Sequence, residues 1–157
     1  MSLSKKFNIR NLKRKTKFQN AAEIVLDHKL ERTFKEIDKF LKNDSVKNLH
    51  SLRIAFRRFR YSMEIFCGCY EEKLFNDVYR HSQKLQDMLG EARDLDVLEM
   101  KLRSNQKEID YNIPEALYES IGKEKIQLRG DIKMELIKFR SDKGVNFFFI
   151  SKKDKEK

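Results

Sequence analysis

"LHSLRIAFRRFRYSMEIF", residues 49–66, is the stretch on which the fold turns. At about 100° per residue, Leu49, Leu52, Ala55, Phe56, Phe59, Met63 and Phe66 fall within an arc of roughly 120°, the width of a core-facing helical stripe. Four arginines stand between positions 53 and 60 of the same stretch, with His50 just ahead of them. His50, Arg53, Arg57 and Arg60 occupy the adjoining arc along about three turns, whereas Arg58 lies apart from them. The pattern predicts a helix from about Val46 to Phe66 with one apolar face and one cationic edge.

Working outward, Asn43, Asp44 and Ser45 favour a turn and an N-cap before that helix. Upstream, Ala22, Val25, Leu26, Leu30, Phe34, Ile37 and Leu41 mark a first helix over about 20–42. Downstream, the spacing predicts a third helix from about Glu72 to Leu89, stopping or bending at Gly90 and resuming over about 94–104. Pro114 suits the first turn of a fourth helix reaching about Arg140. With one proline and five glycines in 157 residues, the fold class expected is all-α, a four-helix bundle of long antiparallel helices. Residues 1–19 read as a basic N-terminal arm, 20–150 as the bundle and 151–157 as a charged tail. The apolar run Phe147, Phe148, Phe149 and Ile150 needs cover, either from its own bundle or from a second subunit; the second is the favoured source and would make a homodimer.

Seven of the ten net positive charges come from lysines and arginines before position 18, and residues 151–157 add two more, leaving the bundle close to neutral. Its cations therefore matter through local clustering. No stretch approaches the roughly 18 apolar residues of a membrane span, and no secretory h-region is present, so a cytoplasmic location is expected with no membrane partner. Cys67 and Cys69 lack the further ligands of a zinc site and read as reduced thiols. Nucleotide-binding glycine loops, metalloprotease and nucleophile-elbow motifs are absent, so no catalytic residue, metal or cofactor is assigned.

Three guanidiniums one turn apart repel one another unless anions are supplied. Internal acids are one source: Glu64 on the same face, or Asp94 or Asp96 from "HSQKLQDMLGEARDLDVLEMKL", residues 81–102. An external polyanion is the other. Arginine is used here almost to the exclusion of lysine, and its planar fork matches phosphate in a bidentate way. A row repeating at roughly 5 Å suits a linear polymer better than one small phosphate, and His50 adds a donor when protonated. The basic arm, with Phe7 and Phe18 among its cations, leaves open a nucleic-acid partner, and full internal pairing leaves open a plain scaffold.

Together, "LHSLRIAFRRFRYSMEIF" and "LQDMLGEARDLDVL" resemble the CHAD family, a histidine-containing α-helical domain. The first is similar to its H-x-x-R-V/I-x-x-R/K-R-x-R signature and the second to its L-G-x-x-R-D-x-D-V segment, in the same order and at the same separation. The likeness runs over roughly residues 20–145. It implies binding of inorganic polyphosphate on a basic surface, without catalysis, and assigns phosphate contacts to His50, Arg53, Arg57, Arg58 and Arg60, with Arg93 and Lys84 from the third helix. Lys84 is the least secure match, because Gln83 competes for the position. Family members usually hold two four-helix bundles around a basic channel. This chain has the length of one, and a homodimer would restore the other.

Overall fold

A computed structural model describes residues 9–108 and 112–150, with the backbone alone at 107, 108 and 148–150. Four long helices follow one another: α1 Phe18–Lys42, α2 Val46–Ile65, α3 Glu72–Glu108 and α4 Glu115–Ser141. A 3-10 turn at Cys67–Cys69 joins α2 to α3, and a short helix, α5 Lys143–Ile150, closes the order. Among the described residues the fold is all-α, as the periodicity predicts.

Local chemistry sets the joints. Asn43–Ser45 turns α1 back into α2: Ser45 Oγ accepts from the Asn48 amide at 3.3 Å, and Asn48 Nδ2 donates to the Asn43 carbonyl at 2.7 Å. Ser45 is thus the N-cap that its position suggests. Pro114 stands immediately before α4 rather than inside its first turn.

The apolar stripes of α1 to α4 converge on one core, where Phe40, Phe56, Phe59 and Phe139 are fully buried with Leu26, Leu30, Ile37, Leu49, Leu52, Leu85 and Leu89. Each such side chain contributes roughly 1.5–3 kcal/mol of transfer free energy. Phe139 of α4 meets Phe56 of α2 edge-on, with ring centres 5.2 Å apart. It lies 6.4 Å from the Phe34 ring of α1.

Two elements depart from expectation. Helix α3 runs through Gly90 without a break, because both flanks of the glycine are anchored by core contacts at Leu85, Leu89 and Ala92. The glycine's propensity cost of about 1 kcal/mol is small beside that anchoring. Helix α3 is about 55 Å long against about 30 Å for α2; its C-terminal third overhangs the core, whose last α3 member among the described residues is Ala92, and meets α4 through Asp96, Glu99 and Arg103. The second departure is α5. Val145 is fully buried on the chain's own bundle, and Asp142 Oδ1 caps the helix by accepting from the Val145 amide at 3.0 Å. Phe147 is exposed. The side chains of Phe148, Phe149 and Ile150, on which the expected subunit contact rested, lie outside those described.

Candidate functional site

Helices α2 and α3 lie antiparallel, and the cationic edge of α2 runs along their seam. A Cβ added at Gly90 would stand 3.9 Å from Arg53 Nε. Two turns further along α2, the Arg60 guanidinium lies 5.9 Å from the centre of the Tyr79 ring. Ascending α2 thus descends α3, and this register carries His50 toward the Arg93 end of the seam. Arg53 and Arg93 are half-buried, while His50 and Arg57 are exposed. Arg53 shares an open groove with Gln86, Asp87, Gly90, Glu91 and Asp94.

The charges on this seam are unequally neutralised. Arg60 Nε forms a loose pair with Glu64 Oε1 at 3.5 Å, and its side chain is only 15% exposed. Tyr79 Oη donates to the same carboxylate at 2.7 Å, and that bond raises the phenol's pKa. Glu64 therefore supplies the internal anion expected of it, but for Arg60 alone. Among the described residues no carboxylate lies within ion-pairing distance of Arg53, Arg57 or Arg93.

Asp96 and Lys84 are placed otherwise than expected, while Arg58 lies apart from the row as its helical position predicts. Asp96 does not orient the arginines of α2; it faces α4, where Arg129 Nη2 and Lys125 Nζ both approach its carboxylate to 2.9 Å. Arg58 is not on the seam, since it lines a different cleft between α1 and α2 with Arg32 and Glu36. Lys84 is bound to Glu135 of α4 at 3.0 Å, alongside His81 at 3.0 Å from the same carboxyl group. Arg53 and Arg60 lie against α3, helical spacing sets His50 and Arg57 on the same edge of α2 and Arg93 one turn beyond Gly90 on α3, and Arg58 and Lys84 lie apart from them.

The overhang of α3 and α4 is held by charge. Lys125 Nζ donates to Glu99 Oε2 at 2.6 Å. That bond and Arg103 outweigh the opposing effect of burial and hold the Glu99 carboxyl below its usual range. Lys133 meets Asp44 at 2.7 Å, tying α4 to the α1–α2 turn and lowering the Asp44 pKa. Burial opposes ionisation of Glu135, yet the Lys84 ammonium, with Lys138 and His81 beside it, leaves its carboxyl below the usual range.

Sequence reasoning passed over Lys125, Arg129 and Lys133, although their spacing of four residues on one helix face was a readable signal. It also passed over Gln86, whose buried Oε1, in the groove that Arg53 lines, lacks a hydrogen-bond partner among the described residues. A glutamine within a polar run gives no comparable signal. Among the described residues, no group of three or more His, Cys, Asp or Glu side chains is arranged to hold a metal ion. No described helix is long and apolar enough to cross a membrane.

No curated protein and no solved structure is a significant match to the chain. The sequence family described as the CHAD domain matches residues 3–103, a span that takes in α1, α2 and most of α3, with both quoted motifs, and ends before α4. The CHAD domain is associated with polyphosphate binding in general. A match over more than half of the chain, on the helices that form the cationic seam, places this protein in the CHAD domain family.

Proposed function

We propose that this protein binds inorganic polyphosphate along the α2–α3 seam and does so without catalysis, the polymer lying across His50, Arg53, Arg57 and Arg93. The observation that carries this reading is the contrast in pairing. Asp44, Asp96, Glu99 and Glu135 each have a cationic partner within 3.0 Å, yet Arg53, Arg57 and Arg93 have no carboxylate partner among the described residues. Guanidiniums held by helices and left without a direct ion pair are available to an external anion, and the row has the extended form that a linear one needs. Arg60 sits at the end of the row with its charge partly met by Glu64.

Calorimetry with long-chain polyphosphate tests this directly. Wild type should bind with an affinity that falls steeply between about 50 and 200 mM salt, because the arginines replace the polymer's counterions. Arg53→Ala/Arg57→Ala should lose that binding while keeping its helical circular dichroism, and single-stranded DNA of equal charge should fail to displace the polymer. Equal displacement by DNA, or binding unchanged in the double variant, would overturn the proposal.

A further inference from the structure

A second cationic site lies on the other side of α2. Arg58 is displaced by roughly 140° around the helix from Arg53. It lines a cleft of about 180 Å³ between α1 and α2, with Arg32 and Glu36 from α1 and Ser51 and Ala55 from α2. The one acid in that lining is already engaged: Glu36 Oε1 pairs with Lys39 at 2.8 Å. Neither Arg32 nor Arg58 has a carboxylate within ion-pairing distance among the described residues, and the same holds for Lys29. Lys29 is not part of that lining, but it lies near enough to both guanidiniums to feel their charge. The Lys29 ammonium is lowered in pKa first by burial and then by the positive charges of Arg58 and Arg32.

We infer that the α1–α2 cleft is a separate binding site for a single phosphoryl group, held by the guanidiniums of Arg32 and Arg58 with the Lys29 ammonium beside them. The cleft is smaller than the roughly 300–1,000 Å³ of cavities that accept drug-sized ligands, so it suits a compact anion. Three unpaired cations favour a dianion over a carboxylate, and a phosphoryl group carries about −1.5 to −2 at neutral pH. Two guanidinium forks from adjoining helices supply the planar donors that phosphate oxygens accept. The Ser51 side chain, on the cleft wall, offers a hydroxyl donor.

Titration of the isotope-labelled full chain with inorganic phosphate, followed through the amide resonances of Ser51 and Ala55, tests the inference. Saturable shifts are expected with phosphate and not with chloride at matched ionic strength. Arg32→Gln and Arg58→Gln should each weaken binding about tenfold or more, as loss of a charge-assisted hydrogen bond predicts, whereas Arg53→Gln should leave it unchanged. Both cleft arginines are exposed, so the variants should fold. As a second readout, phosphate should raise the melting temperature of wild type more than that of either cleft variant. A long-chain polyphosphate arm identifies the source: shifts of the same resonances in Arg53→Ala/Arg57→Ala would make the polymer's phosphoryl groups a ligand of the cleft, and their absence there would leave free phosphate as its ligand. The inference falls if phosphate and chloride act alike, if the shifts do not saturate, or if Arg53→Gln abolishes them while Arg58→Gln does not.

Discussion

Arg129 Nη2 lies 3.1 and 2.9 Å from the two carboxylate oxygens of Asp96, bridging the overhang of α3 to α4. The Asp96 side chain is only 2% exposed and takes a second cation, Lys125, at 2.9 Å. Removing one member of a buried pair strands the other's charge, at a cost of about 3–5 kcal/mol. Asp96→Ala should therefore lower the unfolding free energy in urea by that amount, while the folded protein keeps its polyphosphate affinity within about twofold. A loss of affinity without a loss of stability would return Asp96 to the arginine row.

The seam arginines should show the opposite behaviour. Arg53→Lys and Arg57→Lys keep the charge and remove the planar fork, so each should weaken polyphosphate binding several-fold. Arg53→Ala and Arg57→Ala should each weaken it about tenfold or more and reduce the slope of log affinity against log salt by about one. The unfolding free energy should change by no more than about 0.5 kcal/mol, because no internal pair is broken. Full rescue by lysine would mean that the seam senses charge alone and that fork geometry is irrelevant.

Acid should loosen the α3–α4 interface. The Glu135 carboxyl is held below its ordinary value of 4.5 in the folded state, burial being outweighed by Lys84 and its neighbours; Glu99 is lowered in the same sense by Lys125 and Arg103. Below that value the unfolded chain takes up protons more readily than the folded one. The stability these carboxylates add is therefore present above the unfolded-state value and is lost as pH falls through the folded one. Denaturant titrations from about pH 6 down to about pH 3 should show a shallower decline in Glu135→Gln than in wild type. Parallel declines would show that Glu135 titrates alike in both states.

The fold was legible where one periodicity governed a whole segment. The stripe from Leu49 to Phe66 fixed α2, and Ser45 fixed its start. Gly90 misled because propensity is a local effect of about 1 kcal/mol, whereas the core contacts of Leu85, Leu89 and Ala92 hold the helix on both sides. The candidate site was half legible. Helical geometry set Arg53, Arg57 and Arg60 on one edge and Arg58 apart. No rule within a single helix could say that Asp96 would turn to α4 or that Lys84 would be taken by Glu135, since those pairings depend on which helices become neighbours.

Gly90 offers the sharpest local test of this geometry. It lies inside an uninterrupted helix, and no described glycine has a positive φ, so nothing in its backbone requires glycine. A methyl group would meet only Arg53 Nε, at the ordinary contact distance of 3.9 Å. Gly90→Ala should stabilise the chain by about 0.5–1 kcal/mol, which for a chain of this size raises the melting temperature by about 1–4 °C, and should leave polyphosphate affinity nearly unchanged. Gly90→Leu keeps helix propensity but fills the groove beside Arg53, so it should keep the stability gain and weaken binding several-fold. If Gly90→Ala instead lowers the melting temperature, α3 bends at this residue in solution, and the continuous seam on which the row of arginines depends is broken at its centre.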